Sequence, residues 1–298
     1  MLLRIDDTDA ARNVSGGEEE LLRDLEWLGI RWDEGPVHQS ERQGRHREVG
    51  ERLGERFDGI TLLRPDGSAT YHLASVVDDV DFGITHIVRG NDHRPNESLH
   101  RRLFAALGAE APEFVHHGLI LGEDGKKLAK RAPGATVASL REAGIPAEAV
   151  HRYLEELGVP GHDVSYDVPR IRRLAVEAIA AMSDEDLAAR VRAPVELAPA
   201  LRGARDLREA REYAASIEAT PQPERTRAPE TLERFKELVE RPNGSLDARA
   251  LVRELKAVGG DLRAVRRALT GQDRGPELWT VIAALPRDEA LRRIDAAL

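Results

Sequence analysis

The feature that most constrains the fold is a change of pattern near Thr136. Before it, short aliphatic and β-branched runs alternate with helical spacing. After it, Ala, Leu, Arg and Glu dominate and strand signals nearly vanish. Strands alternating with helices build a parallel sheet, whereas a long helical pattern builds a bundle. The chain therefore reads as an α/β domain followed by an all-α domain. Its 298 residues, against ~150 for a typical domain, agree with more than one unit.

In the first region Leu2–Ile5 reads as a strand that ends in acidic residues. Ser15-Gly16-Gly17-Glu18 has the spacing of a capping box ahead of Leu21, Leu22, Leu25 and Leu28. A polar helix is predicted over 41–56. Pro65-Asp66-Gly67 marks a tight turn between hairpin strands at 61–64 and 69–71. The β-branched run 84–88 reads as a buried strand, with a helix over 95–107 and a strand over 114–121. Beyond it, helices are predicted at 136–143, 146–157, 170–181, 183–191 and 206–218. Others follow at 229–240, 246–257, 260–270, 276–284 and 287–297. The Pro- and Thr-rich stretch 219–229 reads as a loop between helical subdomains.

Composition removes several classes of function. Hydrophobic residues make up 41% and charged residues 33%, with a net charge of −9. No apolar run approaches the ~18–20 residues of a membrane span, and the first residues lack a signal-peptide layout. Without cysteine there is no disulfide, no thiolate metal site and no thiol nucleophile. These traits point to the cytoplasm. Only five of the 44 basic residues are lysine, and Lys126, Lys127 and Lys130 fall within five positions. Such a cluster reads either as ammonium groups placed for chemistry or as a solvated basic turn.

Sheets of this class bind ligands beyond the carboxyl ends of their strands, where four clusters fall. Asp6-Asp7-Thr8-Asp9 offers carboxylates for an ammonium group or ribose hydroxyls, or a helix cap, and lacks the pattern of a calcium loop. The stretch Tyr71–Asp79 offers Tyr71, His72 and Ser75 to a pocket, unless Tyr71 only packs. Arg89 ends a strand, where a guanidinium suits bidentate grip of a carboxylate, and Asn91, Asp92 and His93 follow. His93 lacks a partner at metal-ligand spacing, and no metal site is predicted. Finally, Gly122–Gly125 leads into Lys126, Lys127, Lys130 and Arg131, a loop able to close over a polyphosphate. It departs from a P-loop at Ile120 and Lys127.

The order of these clusters carries more information than any one of them. Leu-Arg-Ile-Asp-Asp-Thr-Asp at 3–9 precedes Trp27-Leu28-Gly29-Ile30, Trp32–Pro36 and Gln39-Ser40-Glu41-Arg42. Tyr71-His72-Leu73-Ala74, Val76-Val77-Asp78-Asp79, Gly83–Gly90 and Lys126–Arg131 follow. Ala268–Gly271 and Gly275–Leu278 complete the series. It resembles the class I glutamyl-tRNA synthetases, closely over 1–160, well over 240–298 and loosely between. The resemblance implies a Rossmann-like catalytic domain at 1–135, a helical stem-contact domain at 136–220 and an anticodon-binding-like helical domain at 221–298. It further implies a monomer that uses ATP with Mg2+, glutamate and tRNA(Glu), without membrane contact. Asp6, Tyr71, Ser75 and Arg89 would bind glutamate, with Arg89 on its side-chain carboxylate. Asp92, His93, Lys127, Lys130 and Arg131 would serve ATP, and Lys127 and Lys130 would act catalytically by neutralising its phosphates. Arg-rich helix faces such as Arg263, Arg266 and Arg267 would track RNA, or would simply be solvated.

Several positions depart from the family pattern. Its opening strand and His-Ile-Gly-His-type motif have no counterpart here, so the first strand and helix of the domain are missing from the chain. The resemblance therefore implies a native chain that begins upstream of Met1. The long family insertion between Arg56 and Arg64 is reduced to seven residues, 57–63. Ala129 replaces a serine, and Asp6 is one methylene shorter than the family's glutamate. An inactive tRNA-binding paralogue and a ligase loading another acceptor stay open on these grounds.

Overall fold

The computed structural model describes residues 1–8, 15–122, 124–128, 134–222, 225–241 and 247–298. Two compact units emerge. The first comprises 1–138 and 154–167, and the second 139–153 and 168–298.

In the first unit β1 (Leu2–Ile5), α1 (Gly17–Trp27) and β2 (Glu34–His38) form a βαβ element whose strands pair in parallel. Glu18, Glu19 and Glu20 crowd the first turn of α1, where carboxylates complement the helix dipole. The capping box does not form: Gly16 occupies the cap at φ 76° and no side chain accepts there. Gly35 of β2 sits at φ 98°, and a Cβ there would lie 2.4 Å from the Leu3 carbonyl oxygen. That close approach explains glycine inside a strand.

A short 3₁₀ turn, Gln39–Arg42, leads into α2 (Gln43–Leu53). β3 (Arg56–Phe57) and β4 (Ile60–Thr61) then pair in antiparallel across Asp58-Gly59, both at positive φ. An Asp-Gly loop of two left-handed residues is the favoured tight hairpin connection. The expected hairpin of 61–64 with 69–71 reduces to a single bridge, Leu63 to Ala69. Tyr71 is no strand residue but the first residue of α3 (Tyr71–Asp81).

The second βαβ element is β5 (His86–Gly90), a 3₁₀ turn at Asn91–Asn96, α4 (Glu97–Ala106) and β6 (Glu113–His117). β5 and β6 pair in parallel with Arg89 opposite His116. The strand expected over 114–121 is broken at Gly118, after which β7 (Ile120–Leu121) pairs with β8 (Val164–Ser165). A Cβ at Gly118 would fall 1.8 Å from the His162 carbonyl oxygen, so only glycine fits. The core of this unit gathers Val49, Leu62, Leu73, Val77, Leu103 and Phe104.

The remaining helices are α5 (Val137–Glu142), α6 (Ala147–Leu157), α7 (Val168–Ala181), α8 (Asp184–Val191), α9 (Ala198–Leu201) and α10 (Leu207–Glu218). They continue with α11 (Pro229–Glu240), α12 (Ala248–Ala257), α13 (Leu262–Thr270), α14 (Leu278–Ala284) and α15 (Arg287–Ala297). Four have side-chain caps, from Ser183, Asp206, Asp247 and Asp261. The second unit's core is built on Ile179, Leu187, Leu201, Leu232, Phe235 and Val281.

Candidate active site

Strand alternation places Arg4 and Asp6 on one side of the β1 path, and the Arg4 Nε donates to Asp6 at 2.9 Å. Asp6 and the first turn of α1 border a cleft of about 920 Å³, which Tyr71, Ser75, Arg89 and His100 reach from the other side. The four residues expected to bind glutamate, Asp6, Tyr71, Ser75 and Arg89, are thus brought together. Asp7 is committed elsewhere, accepting from the Ser40 backbone N–H at 2.8 Å and its hydroxyl at 2.6 Å.

Half-buried Asp79 lines the cleft, with buried Asp78 beside it. Asp78 accepts from Gln39 Nε2 at 2.8 Å, from Arg42 Nε at 2.7 Å and from the His46 ring at 2.8 Å. Burial works to raise its pKa, but these bonds prevail and hold its carboxyl below the ordinary value. Asp79 takes Arg4 Nη1 at 3.0 Å. There burial dominates and Asp79 is pushed up.

Arg89 is held without a carboxylate. Its Nε donates to His116 Nε2 and its Nη1 to His100 Nδ1, each at 3.3 Å, and its Cζ lies 4.8 Å from the Phe114 ring centroid. Its Nη2 is buried and unpartnered, as is the Ser75 hydroxyl. Two polar groups lining one cleft without protein partners are ready to receive a ligand. Tyr71 closes one side, its ring 5.7 Å from that of His100 and 6.0 Å from that of His93.

Of the residues expected to serve ATP, Asp92, His93 and Lys127 are not among those lining this cleft. Lys127 reaches Asp92 through its ammonium group, and that contact holds the Asp92 carboxyl below its usual range. The His93 Nδ1 is buried without a partner. Lys130, Arg131 and Ala129 lie outside the described residues. Among the described residues no group of three or more His, Asp or Glu could hold a metal ion. Sequence reasoning missed Arg4, His100 and His116. Arg4 had a signal in its alternation with Asp6, whereas His100 and His116 carried none.

The parallel βαβ elements bring Asp6 and Arg89 to one cleft beyond the carboxyl ends of β1 and β5, the place where a Rossmann-like α/β catalytic unit binds its ligand. The family model for class I tRNA synthetases (E and Q), catalytic domain, matches residues 1–56 and 53–168, and the chain belongs to that family. A glutamate–tRNA ligase of Rubrobacter xylanophilus is 32% identical, with 100% of this chain and 90% of that protein covered. A second, from Akkermansia muciniphila, is 28% identical over 98% of this chain and 90% of its own length. Among solved structures, a glutamate tRNA ligase from Elizabethkingia meningosepticum in complex with its amino acid shares the fold. It superposes with a TM-score of 0.77 at 21% identity, covering 99% of this chain and 92% of that one.

Proposed function

We propose that this chain activates glutamate with ATP and transfers it to tRNA, as a glutamate–tRNA ligase. The carrying observation is the buried, unpartnered Nη2 of Arg89 in the cleft that Asp6 also lines. An amino acid whose side chain ends in a carboxylate fits this polarity. Its side-chain carboxylate would pair with Arg89 and take a hydrogen bond from Ser75, while its ammonium group would meet Asp6. The relatives' shared activity supports the same reading.

With glutamate so held, its α-carboxylate oxygen attacks the α-phosphorus of ATP and pyrophosphate leaves. A terminal ribose hydroxyl of the tRNA then attacks the adenylate's carbonyl carbon and AMP departs. Neither step needs a side-chain nucleophile, so positioning and charge neutralisation carry the catalysis. Lys127 would stabilise the charge developing on the phosphates after exchanging its contact with Asp92 for them. Lys130 and Arg131, on the same loop in sequence, would add to that neutralisation. Mg2+ would enter bound to the nucleotide as part of the substrate.

Calorimetric titration with L-glutamate and L-glutamine, together with glutamate-dependent ATP–pyrophosphate exchange, tests the reading. Glutamate is expected to bind at one site, at least tenfold tighter than glutamine. Lys127→Ala is expected to slow exchange at least tenfold. Equal affinity for the two amino acids would overturn the carboxylate assignment, and an unchanged exchange rate would remove Lys127 from the phosphates.

A further inference from the structure

We infer that His100 and His116 are positioning residues that set the preference for an acid over its amide: two neutral imidazoles hold the Arg89 fork and leave its charge for the substrate. This rests on Arg89 being the carboxylate receptor proposed above.

The hydrogen bonds dictate the protonation states. A guanidinium only donates, so the atoms that meet it, His100 Nδ1 and His116 Nε2, must both be lone-pair acceptors. The proton of His100 therefore sits on Nε2, which faces His72 Nδ1 at 3.1 Å and donates to it. That of His116 sits on Nδ1, 3.5 Å from a carboxylate oxygen of Glu97. A proton added to either ring would set a donor against the Arg89 fork.

The charged and titratable groups that bear on these two rings disfavour their protonation, with one exception. Around His100 stand Tyr71 and His72 of α3, Arg89 of β5 and His93 of the turn before α4. Around His116 stand Arg89, Arg94, His93 and Glu97, of which only Glu97 favours protonation. Burial first, and then the Arg89 charge, lower the pKa of His100 to about 4 and push that of His116 down as well.

The consequence for selectivity follows from charge. Fixing a guanidinium with a carboxylate would neutralise it, and the site would then weigh a substrate carboxylate and an amide nearly alike. Fixing it with imidazoles gives the same aim with the full positive charge intact. The amide then leaves that charge uncompensated in a half-buried site.

The test compares glutamate and glutamine binding in the wild-type chain, His100→Gln, His100→Glu and Arg89→Ala. Glutamine at 100 supplies a neutral acceptor, and the glutamate-to-glutamine affinity ratio is expected to stay within threefold of wild type. His100→Glu is expected to lower that ratio at least tenfold, chiefly through weaker glutamate binding. An unchanged ratio in His100→Glu would overturn the inference, as would an equal fall in both variants, which marks a packing role only. If Arg89→Ala also leaves glutamate binding unchanged, the carboxylate reading itself fails, a separately visible outcome. Nitrogen-15 NMR of the wild-type histidines checks the point without any variant. At pH 6 His100 is expected to be the neutral Nε2–H tautomer, and a charged ring or the Nδ1–H tautomer would refute the clamp.

Discussion

Ser75 is 4% exposed, and its hydroxyl has no partner. A buried unsatisfied hydroxyl costs stability in the free protein and is worth about 1 kcal/mol when a ligand accepts its bond. Ser75→Ala is therefore expected to weaken glutamate binding about fivefold while leaving the unfolding midpoint unchanged or slightly higher; calorimetry and denaturant unfolding check both halves. Arg89→Ala removes a charge-assisted bond. It should raise the glutamate requirement by about ten- to a hundredfold, with ATP affinity within threefold of wild type, read from exchange kinetics in each substrate. Parallel loss of both affinities would signal damage to the fold instead. The motif order drew attention to these two residues because each stands within a contiguous recognisable stretch. His100 was illegible, since a histidine eleven positions past Arg89 meets it only once α4 has folded back onto β5. Arg266 was misread. Its Nη1 turns inward to the Pro276 carbonyl, and burial lowers its pKa, so it belongs to no exposed basic face.

At the scale of elements, the helices after 136 were legible to within two residues, except the four-residue α9, because most are amphipathic and four carry a side-chain cap. α3 was not. Residues Leu73 to Asp78 are all buried, so no face alternates, and Val76 and Val77 mimic a strand. β2 was missed for the opposite reason, because Gly35-Pro36 argues against any strand. The caps can be tested. Asp206 accepts from the backbone N–H groups of Arg208 at 2.9 Å and Glu209 at 2.8 Å, so Asp206→Ala should cost about 1 kcal/mol in urea unfolding without changing glutamate affinity. α4 makes a second prediction through His100, which is 1% exposed. Its folded pKa of about 4 lies below the ordinary 6.5, so the unfolded chain binds this proton first as pH falls. Its contribution is thus lost from pH 6.5 downward until about pH 4, by roughly 3 kcal/mol in all. His100→Gln should flatten that part of the pH–stability curve relative to wild type, and identical slopes would contradict it.

At the scale of the whole molecule, the seam between the two family-model matches falls at 53–56, beside the two-residue hairpin that stands where a long insertion was expected. The alignment with the Rubrobacter ligase runs over 391 positions for the 298 residues here, so segments of that relative have no counterpart within the aligned span. A chain with a net charge of −9 that binds tRNA must concentrate its positive charge locally. In the helical unit Arg225, Arg227, Arg263 and Arg267 line one cavity of about 350 Å³. Asp261 lies there too, but its carboxylate is spent capping α13, accepting from the Arg263 and Ala264 backbone N–H groups at 2.9 and 3.1 Å. Arg267 is paired with Asp273 at 2.5 Å, whereas Arg227 and Arg263 make no ion pair among the described residues. Arg225 donates through its Nε to the Leu298 carbonyl at 3.3 Å, so Arg227 and Arg263 are the two cavity arginines whose guanidinium groups have neither an ion pair nor a hydrogen bond among the described residues. Each phosphate contact adds about 0.7 to 0.9 to the slope of log affinity against log salt. Replacing both, as Arg227→Ser with Arg263→Ser, should therefore weaken tRNA binding and lower that slope by about 1.5, with glutamate affinity unchanged. Filter binding across 50–300 mM salt measures the slope, and an unaltered one would assign the RNA contacts to another surface of the chain.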